Sequence, residues 1–459
     1  GFNWDVRNDR SLQVRGGTGI FSGRPLYAWI GSNINLNGVS YFDVQQSTSG
    51  GLTNLNGRPN IAFNPSVPQP ALPPSSSRSE INVIAPDFRF PRVYRSNLAI
   101  DYQLPYGIVA TVEGLYSKDV NAVFFRNLNF IEPTQTVPGD GRIAYTSGNK
   151  PGVTPAVPNR NVDDRFTDVV LMENTDKGYQ YSITAQLQKS FSQGVFASLA
   201  YNYGRSEDLT SGTSSQPTSA FNNNQVVGNP NNPVLATSNY EQRHRLIANA
   251  SYRLEYLESM ATTVSFFYQA YSGAPFSYTY SGDLNNDGLS NDLMRIPNNR
   301  GDIVLVRTSG TTRTPAPESD YDDLEAFIQE EPYLRSNRGR FAERNAATTP
   351  WTYKLDARVL QEFFVKVGGK RNTIQLSLDI INLGNLLNKN WGIVKQINRS
   401  GLLTFIDNNG SDGVAGNADD QPRFTYPQFN NQPLRTPFSD NVGLTSRWQM
   451  QFGVRYIFN

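Results

Sequence analysis

The chain has 459 residues, with 41 basic against 40 acidic side chains, one histidine (His244) and no cysteine. A net charge of +1 argues against a nucleic-acid partner or polybasic recruitment to a membrane surface, and the missing cysteines exclude disulfides, thiol catalysis and zinc–thiolate sites. A single histidine leaves little room for a catalytic triad or a multi-histidine metal centre, so the chain reads as a non-enzyme.

The mean hydropathy is negative, at −0.48, yet 12% of residues are aromatic and only 18% are charged. Soluble proteins usually carry about 25% charged residues. No apolar run approaches the roughly 18 residues of a membrane helix; the longest candidate, Ile380 to Leu387, is broken by Asn and Gly. A polar, aromatic-rich chain of this kind fits a membrane only as a closed barrel.

Gly1 opens the chain without a visible targeting segment, and Phe2 to Val6 reads as the middle of a strand. Alternation with a period of two, over about ten residues, then recurs along the chain. Segments 2–7, 11–21, 92–104 and 107–117 are noisier cases. The next is clean: Tyr179, Tyr181, Ile183, Ala185 and Leu187 oppose Gln180, Ser182, Thr184, Gln186 and Gln188. Val195 to Tyr203, Leu246 to Leu254, Val264 to Ala270, Tyr353 to Val359 and Ile374 to Ile380 follow in the same manner. At the C-terminus Trp448, Met450, Phe452, Val454, Tyr456 and Phe458 form one face, with only Ile457 breaking the polar set.

Tight connections (7–10, 105–107, 190–194, 255–261 and 367–373) alternate strictly with long ones rich in Pro, Asn, Ser, Gly and Asp (about 22–91, 118–177, 205–241, 272–351 and 383–445). Short periplasmic turns and long extracellular loops show this asymmetry in outer-membrane barrels. The expected fold is therefore all-β: a transmembrane antiparallel β-barrel portion of about 11 strands with long extracellular loops. An odd count with a mid-strand start suggests residues 1–459 are the C-terminal half of a barrel of about 22 strands.

Within the loops, Ser319 opens a helical stretch in which Leu324, Phe327 and Ile328 share a face, ending near Pro332. The charged run Arg335 to Arg344 reads as solvated loop or lumen lining. The stretch Asp283 to Asp292 fits D-x-N-x-D-G, the opening of a calcium loop. Side chains of Asp283, Asn285, Asp287 and Asn291 or Asp292, with the Leu289 carbonyl, could converge on a structural Ca²⁺, although Met294 replaces the usual twelfth-position Glu. The competing reading is an exposed Asn/Asp/Gly turn in which these side chains cap their own backbone. A second acidic loop, Asp407 to Gly413 with Asp419 and Asp420, is less regular. Tyr271, Phe276, Tyr278, Tyr280, Phe424 and Tyr426 lie where substrate or partner capture would occur, and no substrate-binding residue can be singled out. His244, between Arg243 and Arg245 at a strand start, reads as an interfacial residue rather than a base.

Several stretches together resemble the C-terminal half of the TonB-dependent outer-membrane receptors, within them the Oar-like group of Bacteroidetes. They are Gly1 to Val6, Val14 to Pro25, Gly339 to Asn345, Val367 to Thr373, Leu378 to Asn388 and Gly453 to Asn459. The resemblance implies a 22-stranded barrel in a Gram-negative outer membrane, plugged by an upstream domain that TonB remodels to admit a large or scarce solute. The partners it implies are the N-terminal half of the same receptor, TonB through the plug, outer-membrane lipids and a SusD-like or other surface lipoprotein. The terminal aromatics Trp448 to Phe458 resemble a barrel-assembly signal, departing from it by the extra Asn459. Protein binding, adhesion or export, as in Oar-like relatives, is the alternative function.

Overall fold

The computed structural model describes residues 1–37, 79–151, 157–191, 194–368, 370–414, 416–429 and 432–458. Eleven strands form the path of one antiparallel sheet, each hydrogen-bonded to the next in chain order, with a short twelfth strand, Ala236–Thr237, paired beside it to Glu207 and Asp208. They are β1 (Phe2–Asp5), β2 (Leu12–Ser22), β3 (Arg92–Leu104), β4 (Ile108–Asp119), β5 (Tyr179–Ser190) and β6 (Val195–Asp208). The sheet continues through β7 (His244–Tyr256), β8 (Met260–Tyr271), β9 (Thr352–Val367), β10 (Lys370–Ile381) and β11 (Gln449–Ile457). The count and the order both agree with the alternation in the sequence. Among the described residues β1 and β11 do not pair, so the sheet is an open wall and not a closed ring.

Register keeps one face apolar across strands. Leu187 stands opposite Leu199, and Leu199 opposite Ala248. Leu376, Leu378 and Ile380 meet Val454, Phe452 and Met450. This face is exposed: Ile183 is 53%, Leu199 46% and Phe452 68% accessible. An apolar surface of that extent is untenable in water and is what hydrocarbon requires. Toward the long-loop end an aromatic band gathers. The Tyr201 hydroxyl lies 2.7 Å from Nδ1 of His244, whose ring stacks on Trp351, which stacks on Tyr353. His244 thus lies within an aromatic cluster at the loop end of the sheet.

The tight connections turn through left-handed residues: Asn8, Arg10, Tyr106, Leu257 and Glu258 among the non-glycines, with Gly107, Gly194 and Gly368. Positive φ matches the turn to the twist of the flanking strands. Gly194 has a second reason, since a Cβ there would lie 2.3 Å from the Arg253 carbonyl oxygen. Residues 192, 193 and 369 of these turns, 38–78 of the first long loop, 415 of the second acidic loop, and Asn459 lie outside the described residues.

At the other end, the long connections are not loops in the loose sense. They fold into a second layer. One sheet combines Thr279–Ser281, Gly401–Asp407, Arg423–Thr425, Val304–Ser309 and Thr312–Pro315. Another combines Ser79–Ile84, Phe166–Thr175 and Ala122–Asn127. Each packs a hydrophobic core of its own. The larger contains Tyr278, Tyr280, Leu284, Met294, Phe327, Leu402 and Phe424. The smaller contains Trp29, Phe125, Phe130, Tyr145, Met172, Phe221 and Leu289.

The expected helix is present as Glu318–Glu330, burying Leu324, Phe327 and Ile328. Its N-cap is Pro317 and not a serine, and Pro332 starts a further helix, Pro332–Ser336, in the first-turn position where its missing N–H costs nothing. Helices at Tyr27–Asn35, Pro217–Asn222 and Leu383–Leu387 were not expected. They are short and built for tertiary packing, as Trp29 and Phe221 in the smaller core show.

Candidate functional site

Two regions could carry function: the inner face of the wall and the junction within the extracellular layer. Alternation that puts Leu and Phe outward necessarily puts polar residues inward. On that inner face Arg15 Nε lies 2.9 Å from Asp101, with its Nη2 3.4 Å from Glu113, and the Thr111 hydroxyl donates to Asp101 at 2.6 Å. Farther round, Arg358 pairs with Asp379, and Arg253 with Glu362 at 2.7 Å. Asn202 donates to Thr184 at 2.8 Å and Asn249 to Ser198 at 3.2 Å. Several charges are paired across strands, while Arg245, Lys354 and Arg455 on the same face have no ion-pair partner among the described residues, so the face is polar and charged. A hollow of about 470 Å³ opens on it, lined by Phe196, Asn249, Ser251, Ser265, Phe267, Asp356, Arg358 and Asp379. Such a surface offers hydrogen bonds and charge to a polar solute.

Above the wall, the layer is tied by buried arginines. Arg142, with a fully buried side chain, donates from Nε to Asp140 at 2.6 Å and from Nη1 to Asp292 at 3.0 Å. Its Nη2 donates to the Leu293 carbonyl at 2.9 Å, and its guanidinium lies over Tyr280 and Phe341, 5.2 and 5.3 Å from their centroids. Arg344 is also buried, bonding Asp208 at 2.7 Å where β6 ends. Its place in the run Arg335 to Arg344 was expected to be solvated; a short carboxylate partner on the wall makes burial affordable. The aromatics of the long connections lie in the same layer. Tyr278, Tyr280, Phe424 and Tyr426 are at most 7% exposed, because they are the core of the layer and not its outer surface.

The stretch 283–292 sits at the centre of this layer, and the expectation of an exposed turn fails for it. Leu284 inserts into the larger core and Leu289 into the smaller. Asn285 accepts the Tyr145 N–H at its carbonyl (2.7 Å) and donates to the Gly228 carbonyl (2.9 Å). Asn291 donates to the Asn224 carbonyl at 2.8 Å. Three long connections therefore meet on ten residues. Asp283 accepts the Gly288 N–H through Oδ2 (2.7 Å), and Asp287 accepts the Leu289 N–H through Oδ1 (2.7 Å). Asp292 is drawn away: one oxygen takes Arg142 and the other the Leu284 N–H at 2.8 Å.

Left buried without a partner are Asp283 Oδ1 and Asn291 Oδ1. An orphaned buried acceptor costs about 1–3 kcal/mol. Burial raises the Asp283 carboxyl above its usual range. Burial, then the like charges of Asp292 and Asp283, hold Asp287 well above it. Burial also pushes Asp292 up to about 6, against the pull of Arg142. Among the described residues no three carboxylate or imidazole groups converge at metal-binding distance. The second acidic loop closes on itself: Asp419 accepts Ser411 at 2.9 Å, and Asp407 pairs with Arg423 at 2.6 Å.

The terminal aromatics lie as expected on one exposed face, with Tyr456 stacked on Phe458 at 5.7 Å. What sequence reasoning missed is the role of Arg142 and Arg344. Phe276, Tyr278 and Tyr280 do alternate, and that was the available signal that Phe276 and Tyr280 enter strands, Pro275–Phe276 and Thr279–Ser281, with Tyr278 buried between them.

None of the curated proteins matches this chain. The outer membrane transporter YddB from Escherichia coli is similar in structure, with a TM-score of 0.40 and 9% identity, over 83% of this chain and 36% of that one. The chain thus spans about a third of that protein's length. The family described as an outer membrane beta barrel domain matches residues 1–411. The exposed apolar wall, its polar reverse and this match together place the chain in the outer membrane, as a member of the outer membrane beta barrel domain family.

Proposed function

We propose that this chain is the C-terminal half of a TonB-dependent outer-membrane receptor of the Oar-like group, which takes up a large or scarce polar solute and is not an enzyme. The observation that carries the reading is the inner face of the wall, polar and partly charge-paired beneath a folded extracellular layer. Open edges at β1 and β11 cannot persist in hydrocarbon, so upstream strands of the same receptor would complete a wall of about 22 strands. The outward face meets outer-membrane lipid, and Trp448 to Phe458 serve the assembly machinery. Coupling would reach TonB through the upstream plug, and a SusD-like lipoprotein would cover the outer mouth.

The test needs no knowledge of the solute. Because the chain has no cysteine, Asn249→Cys on the inner face is a unique label site within it. In cells making the full-length receptor, energised TonB should raise its labelling by an impermeant maleimide several-fold, and a protonophore should remove that increase. Labelling indifferent to both energy and TonB would turn the reading to protein binding, adhesion or export. One observation favours that second reading: the extracellular layer is a packed structure with two cores, suited to hold a macromolecule on a firm surface.

A further inference from the structure

We propose that Asp283, Asn285, Asp287, the Leu289 carbonyl and Asn291 bind one calcium ion, which locks three extracellular connections together. The donors fall at positions one, three, five, seven and nine of the loop, all oxygen, as a hard cation requires. The backbone already follows the curve of such a loop, with left-handed Asn286 (φ 61°) and Gly288 (φ 84°). The Arg160 guanidinium lies against Gly288, 2.1 Å from where a Cβ would stand.

The observation that points to a ligand is separate from that geometry. Asn291 is 3% exposed and its amide nitrogen is committed to the Asn224 carbonyl, which leaves its Oδ1 buried and without a donor. Asp283 repeats the arrangement: Oδ2 takes the Gly288 N–H, and Oδ1 is buried and unpartnered. The first and ninth positions thus each hold back one oxygen from the protein. Asp287 is fully buried and, among the described residues, has no ion-pair partner. Arg160 supplies one positive charge beside Asp283, so two carboxylates and one guanidinium leave one negative charge to be met.

With two carboxylates and no Glu at the twelfth position, where Met294 is buried in the larger core, the site is of the weak kind. Extracellular calcium modules of that kind bind at about 10⁻⁴–10⁻³ M. The ion would act structurally, because the loop bonds Tyr145, Gly228 and Asn224 on two other connections.

The experiment uses the full-length receptor in detergent, stripped with EGTA and titrated with calcium, or with terbium read by luminescence through tyrosine. One saturable site is expected, weakened at least tenfold in Asp287→Asn and in Asp283→Asn. Calcium, and not magnesium at the same concentration, should slow tryptic cleavage of the extracellular layer at least tenfold in the wild type. That second readout needs no variant, so a variant that fails to fold leaves the proposal testable. Absence of saturable binding at millimolar calcium would overturn it. Binding retained in both variants would do so too, moving the ion to the loop around Asp407 and Asp419.

Discussion

Replacing Arg142 with methionine should loosen the extracellular layer by about 3–5 kcal/mol, because it strands the buried carboxylates of Asp140 and Asp292. The guanidinium bridges them: it spans 2.6 Å to one carboxylate and 3.0 Å to the other, and its plane is covered by Tyr280 and Phe341. Methionine fills similar volume but returns neither charge nor donors. Asp292 would then lose its one cation among the described residues while still fixed by the Leu284 N–H, so the stretch 283–292 should be the first to open. Arg142→Lys should recover only part of the loss, since an ammonium cannot fork between Asp140, Asp292 and the Leu293 carbonyl. Calorimetry of the protein in detergent should show the loop-layer transition lowered by about 10 °C, with the wall transition unmoved. An unchanged transition in the methionine variant would mean that Arg142 does not hold the layer.

The second large effect belongs to the wall. Leu199→Arg should destabilise insertion by about 2–4 kcal/mol, the cost of an arginine on the lipid face near the midplane. Leu199 lies between Leu187 and Ala248 in the register, between the aromatic band near Tyr201 and the turn before Val195. Ala200→Arg, one residue along, points to the inner face between Gln186 and Ile247, and should change stability little. Urea unfolding of the full-length receptor in vesicles separates the two. Equal losses in both variants would contradict the assigned faces.

How much of this was readable in the sequence follows from which forces act locally. Lipid and lumen select opposite side chains at alternate positions, so the strand Tyr179–Ser190 announces itself within its own twelve residues. All eleven wall strands were legible for that reason, as were the tight turns between them. The extracellular layer obeys no such rule. Ser79–Ile84 pairs in parallel with Phe166–Thr175, and Thr279–Ser281 with Gly401–Asp407, across separations that local pattern does not encode. Arg142 sits 150 residues from Asp292, in a Gly-rich turn without any periodicity. The burial of the loop aromatics was illegible for a related reason: whether a tyrosine in a long connection is core or surface depends on the partner sheet. The stretch 283–292 was visible as a motif because its donors are local. Its burial was not, since that depends on two cores formed by other connections.

The central claim is that alternate residues of each wall strand face lipid and lumen. A cysteine scan from Tyr179 to Gln188 tests it most directly, because the chain supplies no native cysteine to confuse the label. Nitroxides at 179, 181, 183, 185 and 187 in the reconstituted full-length receptor should relax with lipid-soluble oxygen, and those at the even positions should not, giving a strict period of two. A flat profile, or one that peaks at the even positions, would contradict the account.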